Sequence, residues 1–264
     1  MNILYIGDVM AQMGIAAVEK VLPDLRNSRN IDVVVAQAEN VSDGKGLSVA
    51  DYERLRALGI DAFAGGDHTI DKPEIFPLLE DAGKPVVGPA NMHECPGNGF
   101  KYVTVNGKRV LVVSLLGNVV GRHADREVGN PLKKIDEILS SQVDEQRDAT
   151  VVNFHGDYSS EKVIIGHYLD GRVSMVVGDH WHVPTADAQI LPKGTAHLTD
   201  VGMCGSLDSS LGVTFASVLP RWRDGLQTRN GLETSGRNQF NALLVTVDDT
   251  TGKATAAEHI RQVW

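Results

Sequence analysis

The chain has 264 residues, 42% of them hydrophobic and 22% charged, which suits a globular α/β fold in one domain over 1–264. Its formal net charge of −9 argues against extensive nucleic-acid binding, and no run approaches the roughly 18 apolar residues that read as a membrane span. Two cysteines, Cys95 and Cys204, are too few for a disulfide framework, and the first residues lack signal-peptide features, so a cytoplasmic protein is expected.

The first 90 residues read as strand-then-helix units. Strand Asn2 to Ile6 precedes a helix over Ile15 to Asn27, with Val18, Val21, Leu22 and Leu25 on one face. Strand Val33 to Ala38 precedes a helix that Ser48 caps and Gly59 ends. Strand Asp61 to Ala64, a helix over Glu74 to Ala82 and a short strand Pro85 to Val87 follow. Asn106-Gly107 suits a type I′ turn and predicts a hairpin of Lys101 to Val105 with Lys108 to Leu115. Helix Leu132 to Gln146, strand Thr150 to Phe154, helix Ser160 to Tyr168 and strand Val173 to Val177 come next. A second hairpin, Ala242 to Val247 with Thr255 to Ile260, closes the chain. The mixture predicts two mixed sheets packed together with helices outside. Asp43 to Leu47, Asn91 to Gly99 and Leu198 to Arg237 read as mobile segments, the last as a lid.

Donor side chains recur where the apolar runs end. Asp8, Glu39-Asn40, Asp67-His68 and His155 each follow such a run, and His180 and His182 form an H-x-H pair after Val173 to Val177. Strand ends of an open α/β sheet converge on one crevice. Mixed carboxylate and imidazole donors suit first-row transition metals.

The order of these motifs resembles the calcineurin-like metallophosphoesterase superfamily. Asp8, Gln37-Ala38-Glu39-Asn40, Gly65-Gly66-Asp67-His68, Asn153-Phe154-His155-Gly156, Ser159-Ser160-Glu161-Lys162, His180 to Asp187 and Thr199 to Met203 resemble its YmdB-like bacterial phosphodiesterase family. The resemblance implies a four-layer α/β/β/α metallophosphoesterase sandwich, two transition-metal ions (iron first, manganese second) and hydrolysis of small cyclic nucleotides, 2′,3′-cyclic nucleotides being the favoured class. Two metals about 3.5–4 Å apart need a bridging anion, a role given to Glu39. Asp8, Asn40 and His182 then complete one site, and Asp67, His155 and His180 the other. A bridging hydroxide attacks phosphorus while His68, outside the ligand set, protonates the leaving oxygen. The sequence departs from the wider D-x-H pattern at Met10, which makes Asn40 the replacement oxygen donor, and from G-N-H at Asp67.

Two rivals stay open at this level: a phosphomonoesterase or nucleotidase on the same dinuclear site, and a regulatory RNA-binding protein with a structural metal site. The expected partner is a small phosphodiester, and a homo-oligomer is compatible with this reading. His93, His123, His167, His197 and His259 read as structural or surface residues, and Arg221, Arg223, Arg229 and Arg237 as a solvated face, with a phosphate clamp from one of them as the alternative. Trp181 either stacks on a base or shapes its loop.

Overall fold

The computed structural model describes residues 1–120 and 127–264; His123 lies outside them. In chain order the first half holds β1 (Asn2–Ile6), β2 (Asp8–Val9), α1 (Ala11–Ser28), β3 (Val33–Gln37), α2 (Val49–Ala57), β4 (Ala62–Ala64), α3 (Phe76–Glu80) and β5 (Val86–Val87). Next come β6 (Phe100–Val105), β7 (Lys108–Leu116), α4 (Pro131–Ser141), β8 (Ala149–His155), α5 (Ser159–Tyr168) and β9 (Met175–Asp179). Then follow β10 (Gln189–Ile190), β11 (Ala196–Leu198), β12 (Met203–Ser206), α6 (Phe215–Asp224), β13 (Asn238–Val247) and β14 (Ala254–Val263). No helix is long and apolar enough to cross a membrane among the described residues.

Local chemistry accounts for most boundaries. Ser48 caps α2 by accepting from the Asp51 N–H at 3.1 Å. Asn106 and Gly107 take φ of 49° and 81°, as the tight β6–β7 hairpin requires. The helix expected over Glu74 to Ala82 is instead two 3₁₀ turns, Thr69–Asp71 and Pro73–Ile75, followed by the single-turn α3. Pro73 and Pro77 both lack the N–H that a continuous helix would need. Helix α4 stops at Ser141, short of Gln146, because Val143 has no core to enter and is 73% exposed. The Arg147 guanidinium donates to the freed Gln142 carbonyl at 2.7 Å. The segment from Leu198 to Arg237 is not one loop. It contains β12, which pairs parallel with β2 and antiparallel with β13, and also α6. Four residues that include Gly205 carry too short a pattern to be read as a strand.

Two mixed sheets are present among the described residues. One runs β2-β12-β13-β1-β3-β4-β5, with β14 on β13; the other runs β10-β11-β9-β8-β7-β6. Alternation along the strands sorts the core into layers. Ile3, Tyr5, Val33 and Val35 of the first sheet pack with Val110, Val112, Val151 and Val177 of the second. The opposite faces are covered by helices: Leu4, Ile6 and Val34 meet Ile15, Val18 and Leu22 of α1, while Val113, Val152 and Phe154 meet Ile135 of α4 and Ile165 of α5. This is the expected α/β/β/α arrangement. β1, β3 and β4 run parallel in one sheet, and β8 and β9 run parallel in the other. Their C-terminal ends deliver the donor residues to one place.

Candidate metal centre

Asp8, Glu39, Asn40, Asp67 and His155 are all buried, whereas His180 and His182 are partly exposed at the mouth of the site. His155 Nε2 lies 3.1 Å from Glu39 Oε1, 3.1 Å from Asp67 Oδ1 and 2.9 Å from His180 Nδ1. One donor atom from each of these four residues fits within a sphere of metal-ligand size, with every pair inside 4.8 Å. On the other side of Glu39, Asn40 Nδ2 lies 3.1 Å from Glu39 Oε1 and 3.4 Å from His182 Nε2, and His182 Nε2 lies 3.7 Å from Asp8 Oδ1. Glu39 Oε1 therefore touches both His155 and Asn40, and Asp8 lies close to His155 and His180 as well as to His182, so all seven side chains meet in one cluster. The amide of Asn40 points its nitrogen at these acceptors, and a half-turn about its last torsion would present the oxygen a cation needs.

These donors fit cations. Asp8 Oδ1 is buried without a hydrogen-bond partner among the described residues, a costly condition that an ion relieves. Several lone pairs face one another across His155 Nε2, with no room for a larger side chain. A Cβ on Gly66 would come within 2.3 Å of Glu39 Oε2 and 2.6 Å of the His155 ring. Burial and the neighbouring Asp179 charge push the Asp8 carboxyl well above its usual pKa. Burial, reinforced by repulsion from His180, brings His182 down to about 4 and keeps its imidazole neutral at neutral pH, the form that binds metal.

Asp179 was not singled out in the sequence, although it directly precedes the H-x-H pair. It is fully buried, and its Oδ1 lies 2.7 Å from His155 Nδ1. Its Oδ2 accepts from Tyr5 Oη at 2.7 Å, from Gln37 Nε2 at 3.3 Å and from Asn153. Although Asp8, His155 and Asp179 cluster tightly, both Asp179 oxygens are thus engaged, and its part is to hold His155 with Nε2 turned to the centre.

The H-x-H loop is held under strain. His180 and His182 have φ of 100° and 62°, conformations that cost roughly 1–3 kcal/mol each and persist only when the surroundings impose them. The buried Lys162 on α5 donates to the Asp179 carbonyl at 2.5 Å and to Asp200 Oδ2 at 2.6 Å. Asp200 in turn accepts from the Trp181 N–H at 3.0 Å. The Trp181 indole lies 4.2 Å from Lys162 Nζ and donates to the Asp157 carbonyl at 3.0 Å. Of its two readings, loop shaping is the one this geometry supports.

His68 is anchored at the rim. Its N–H donates to Glu39 Oε2 at 2.9 Å, and its Nδ1 lies 2.8 Å from Asp71 Oδ2. Nε2 remains on the side of Asp67, 4.0 Å from Oδ2. Asp71 escaped the sequence reading because a 3₁₀ turn, not the expected loop into a helix, brings it back over His68. A cavity of roughly 680 Å³ opens onto Glu39, Asn40, His68, His180 and His182. Arg221, assigned to a solvated face, lines that cavity too, because α6 folds over it. His197 and His259 are structural, each bonded to a backbone carbonyl away from the centre.

Comparison with known proteins agrees with this architecture. The chain is 38% identical over 261 residues to the 2′,3′-cyclic-nucleotide 2′-phosphodiesterase of Bacillus subtilis (strain 168), covering 98% of this chain and 96% of that protein. A crystal structure of a hypothetical protein from Thermus thermophilus superposes with a TM-score of 0.88 at 37% identity, covering 100% of this chain and 99% of that one. A novel phosphatase from Mycoplasma pneumoniae superposes with a TM-score of 0.90 at 30% identity, covering 100% of this chain and 93% of that one. The sequence model for YmdB-like proteins matches residues 4–260, and the chain belongs to the YmdB-like family.

Proposed function

We propose that this chain is a cytoplasmic dinuclear-metal phosphodiesterase that opens 2′,3′-cyclic nucleotides, with iron as the first candidate ion and manganese as the second. The observation that carries the reading is the convergence of Asp8, Asn40, Asp67, His155, His180 and His182 around Glu39. The activity named for the Bacillus subtilis relative supports the substrate class. Cys95 and Cys204 are both free thiols, in keeping with a reducing compartment.

Two bound cations would supply Lewis acidity, neutralise charge on the phosphoryl oxygens and activate water. Asp8, Glu39, Asn40, Asp67, His155, His180 and His182 would hold them, and Asp179 would fix the orientation of His155. His68, with Asp71 on Nδ1, would carry a proton on Nε2 and pass it to the ribose oxygen as the P–O bond breaks. The alkoxide leaves as a neutral hydroxyl, and Asp71 balances the charge on the imidazolium.

The experiment compares kcat/KM of metal-loaded protein for 2′,3′-cyclic nucleotides and for nucleoside monophosphates. Preference for the cyclic diester is expected. The opposite preference would favour a nucleotidase on the same centre, and RNA binding without turnover of any phosphoester would reject the enzyme.

A further inference from the structure

Helix α6 brings Val218, Arg221 and Trp222 to the wall of the cavity that reaches Glu39, His180 and His182. The spacing i, i+3, i+4 puts the three on one side of the helix. Their environments differ sharply. Val218 is 9% exposed and packs on Met10, Met203 and Val213, whereas Trp222 is 85% exposed. An indole kept in water beside a cluster of buried ligands is a large unused apolar surface. The helix end that carries it is held in place. Arg221 donates from Nε to Thr228 Oγ1 at 2.6 Å and from Nη2 to the Thr228 carbonyl at 2.9 Å and Asn230 Oδ1 at 2.5 Å. Those partners are uncharged, so the guanidinium keeps its positive charge for the cavity. Lys45 also lines the cavity, where the carboxylates are Glu39, at the centre, and Asp157.

We propose that Trp222 is the platform on which the base of the substrate stacks while its phosphodiester lies at the metal centre. Arg221 fixes the helix end that carries it and, with Lys45, favours an anion in the cavity. This assignment rests on the phosphodiesterase reading. A cavity of roughly 680 Å³ is of the size that holds a nucleotide-sized ligand. Stacking on one indole is tolerant of base identity, because every base has a π-face.

The test uses metal-loaded protein with adenosine 2′,3′-cyclic phosphate and with the base-free methyl riboside 2′,3′-cyclic phosphate. Trp222→Ala should raise KM for the adenosine diester by about 10-fold or more, leave kcat near wild type and leave the base-free substrate unaffected. Trp222→Phe should recover most of the loss. Equal losses on both substrates, or an unchanged KM for the adenosine diester, would overturn the platform. So would a shift in oligomeric size on Trp222→Ala, which would make exposed Phe215, Leu219 and Trp222 a contact between copies. If wild-type protein turns over neither diester, the phosphodiesterase reading fails by itself. The platform is then judged by fluorescence alone: quenching by adenosine monophosphate that is lost in Trp222→Phe supports it, and quenching that survives overturns it.

Discussion

Replacing Asp179 by Asn removes a charge and leaves the shape of a fully buried side chain. The carboxylate faces donors on every side: His155 Nδ1, the Tyr5 hydroxyl, and the Gln37 and Asn153 amides. Burial, aided by the Asp179 charge, raises the Tyr5 pKa well above its ordinary value, so the phenol stays a donor. An Asn amide brings its own N–H₂ into this ring of donors, so either a donor–donor contact forms or His155 changes tautomer and turns an Nε2–H toward the centre, where it cannot bind metal. His155 loses the anion that fixes its ring and raises its basicity. Changes of this kind cost 10- to 100-fold in metal affinity, or about 1.4–2.7 kcal/mol. The assay is chelator competition at fixed pH, with the melting temperature of the metal-free variant measured alongside. Asp179→Asn should bind metal about 10- to 100-fold more weakly while remaining folded, and excess metal should restore much of its turnover. Unchanged affinity in a folded variant would refute the argument that Asp179 acts through His155.

Three further outcomes follow from the same geometry. His68→Ala should keep its metals and lose about 10²- to 10⁴-fold in cyclic-nucleotide turnover, with a smaller loss on a nitrophenyl diester whose leaving group needs little protonation; equal losses would end the case for a leaving-group acid. Lys162→Met strands the buried Asp200 charge and releases the loop of His180 and His182, so calorimetry should record a destabilisation of roughly 3–5 kcal/mol; a near-neutral effect would contradict the clamp. Burial alone would lower the His155 pKa, but Glu39, Asp179 and Asp67 outweigh it and hold the metal-free imidazole well above its ordinary 6.5. Its contribution to stability is therefore complete below about pH 6.5 and lost as pH rises through its folded value. Metal uptake displaces that proton, so calorimetry in buffers of different ionisation enthalpy should detect proton release, and the thermal gain from metal should grow above pH 6.5; uptake without proton release would contradict this.

The cluster of donor side chains was legible because each candidate follows an apolar run, and parallel strands bring such ends together whatever their spacing in sequence. Asp8, Glu39, Asp67 and His155 each follow such a run, and it was their recurrence together, with the order of the motifs, that pointed to one cluster. Supporting residues were harder to find. Asp179 has no pattern of its own, since its role depends on a neighbouring strand placing His155 Nδ1 opposite it. Asp71 depends on a 3₁₀ turn that Pro73 helps to define. Trp222 and Arg221 were hidden for a different reason. Helix α6 has one apolar stripe, of which Val218 packs on Met10 and Met203 while Phe215, Leu219 and Trp222 stay exposed, and polar residues of the 226–237 segment follow it closely. A reading based on composition therefore merges helix and loop. Strand β12 is too short to announce itself, yet it carries the segment across the first sheet.

The most direct test of the account is a titration of turnover against ions added to metal-stripped protein. Two sites that share Glu39 predict hydrolysis of a 2′,3′-cyclic nucleotide that is absent without metal, rises with each addition and levels off at two ions per chain. Turnover that survives complete stripping, or a plateau at a single ion, would contradict the two-metal centre.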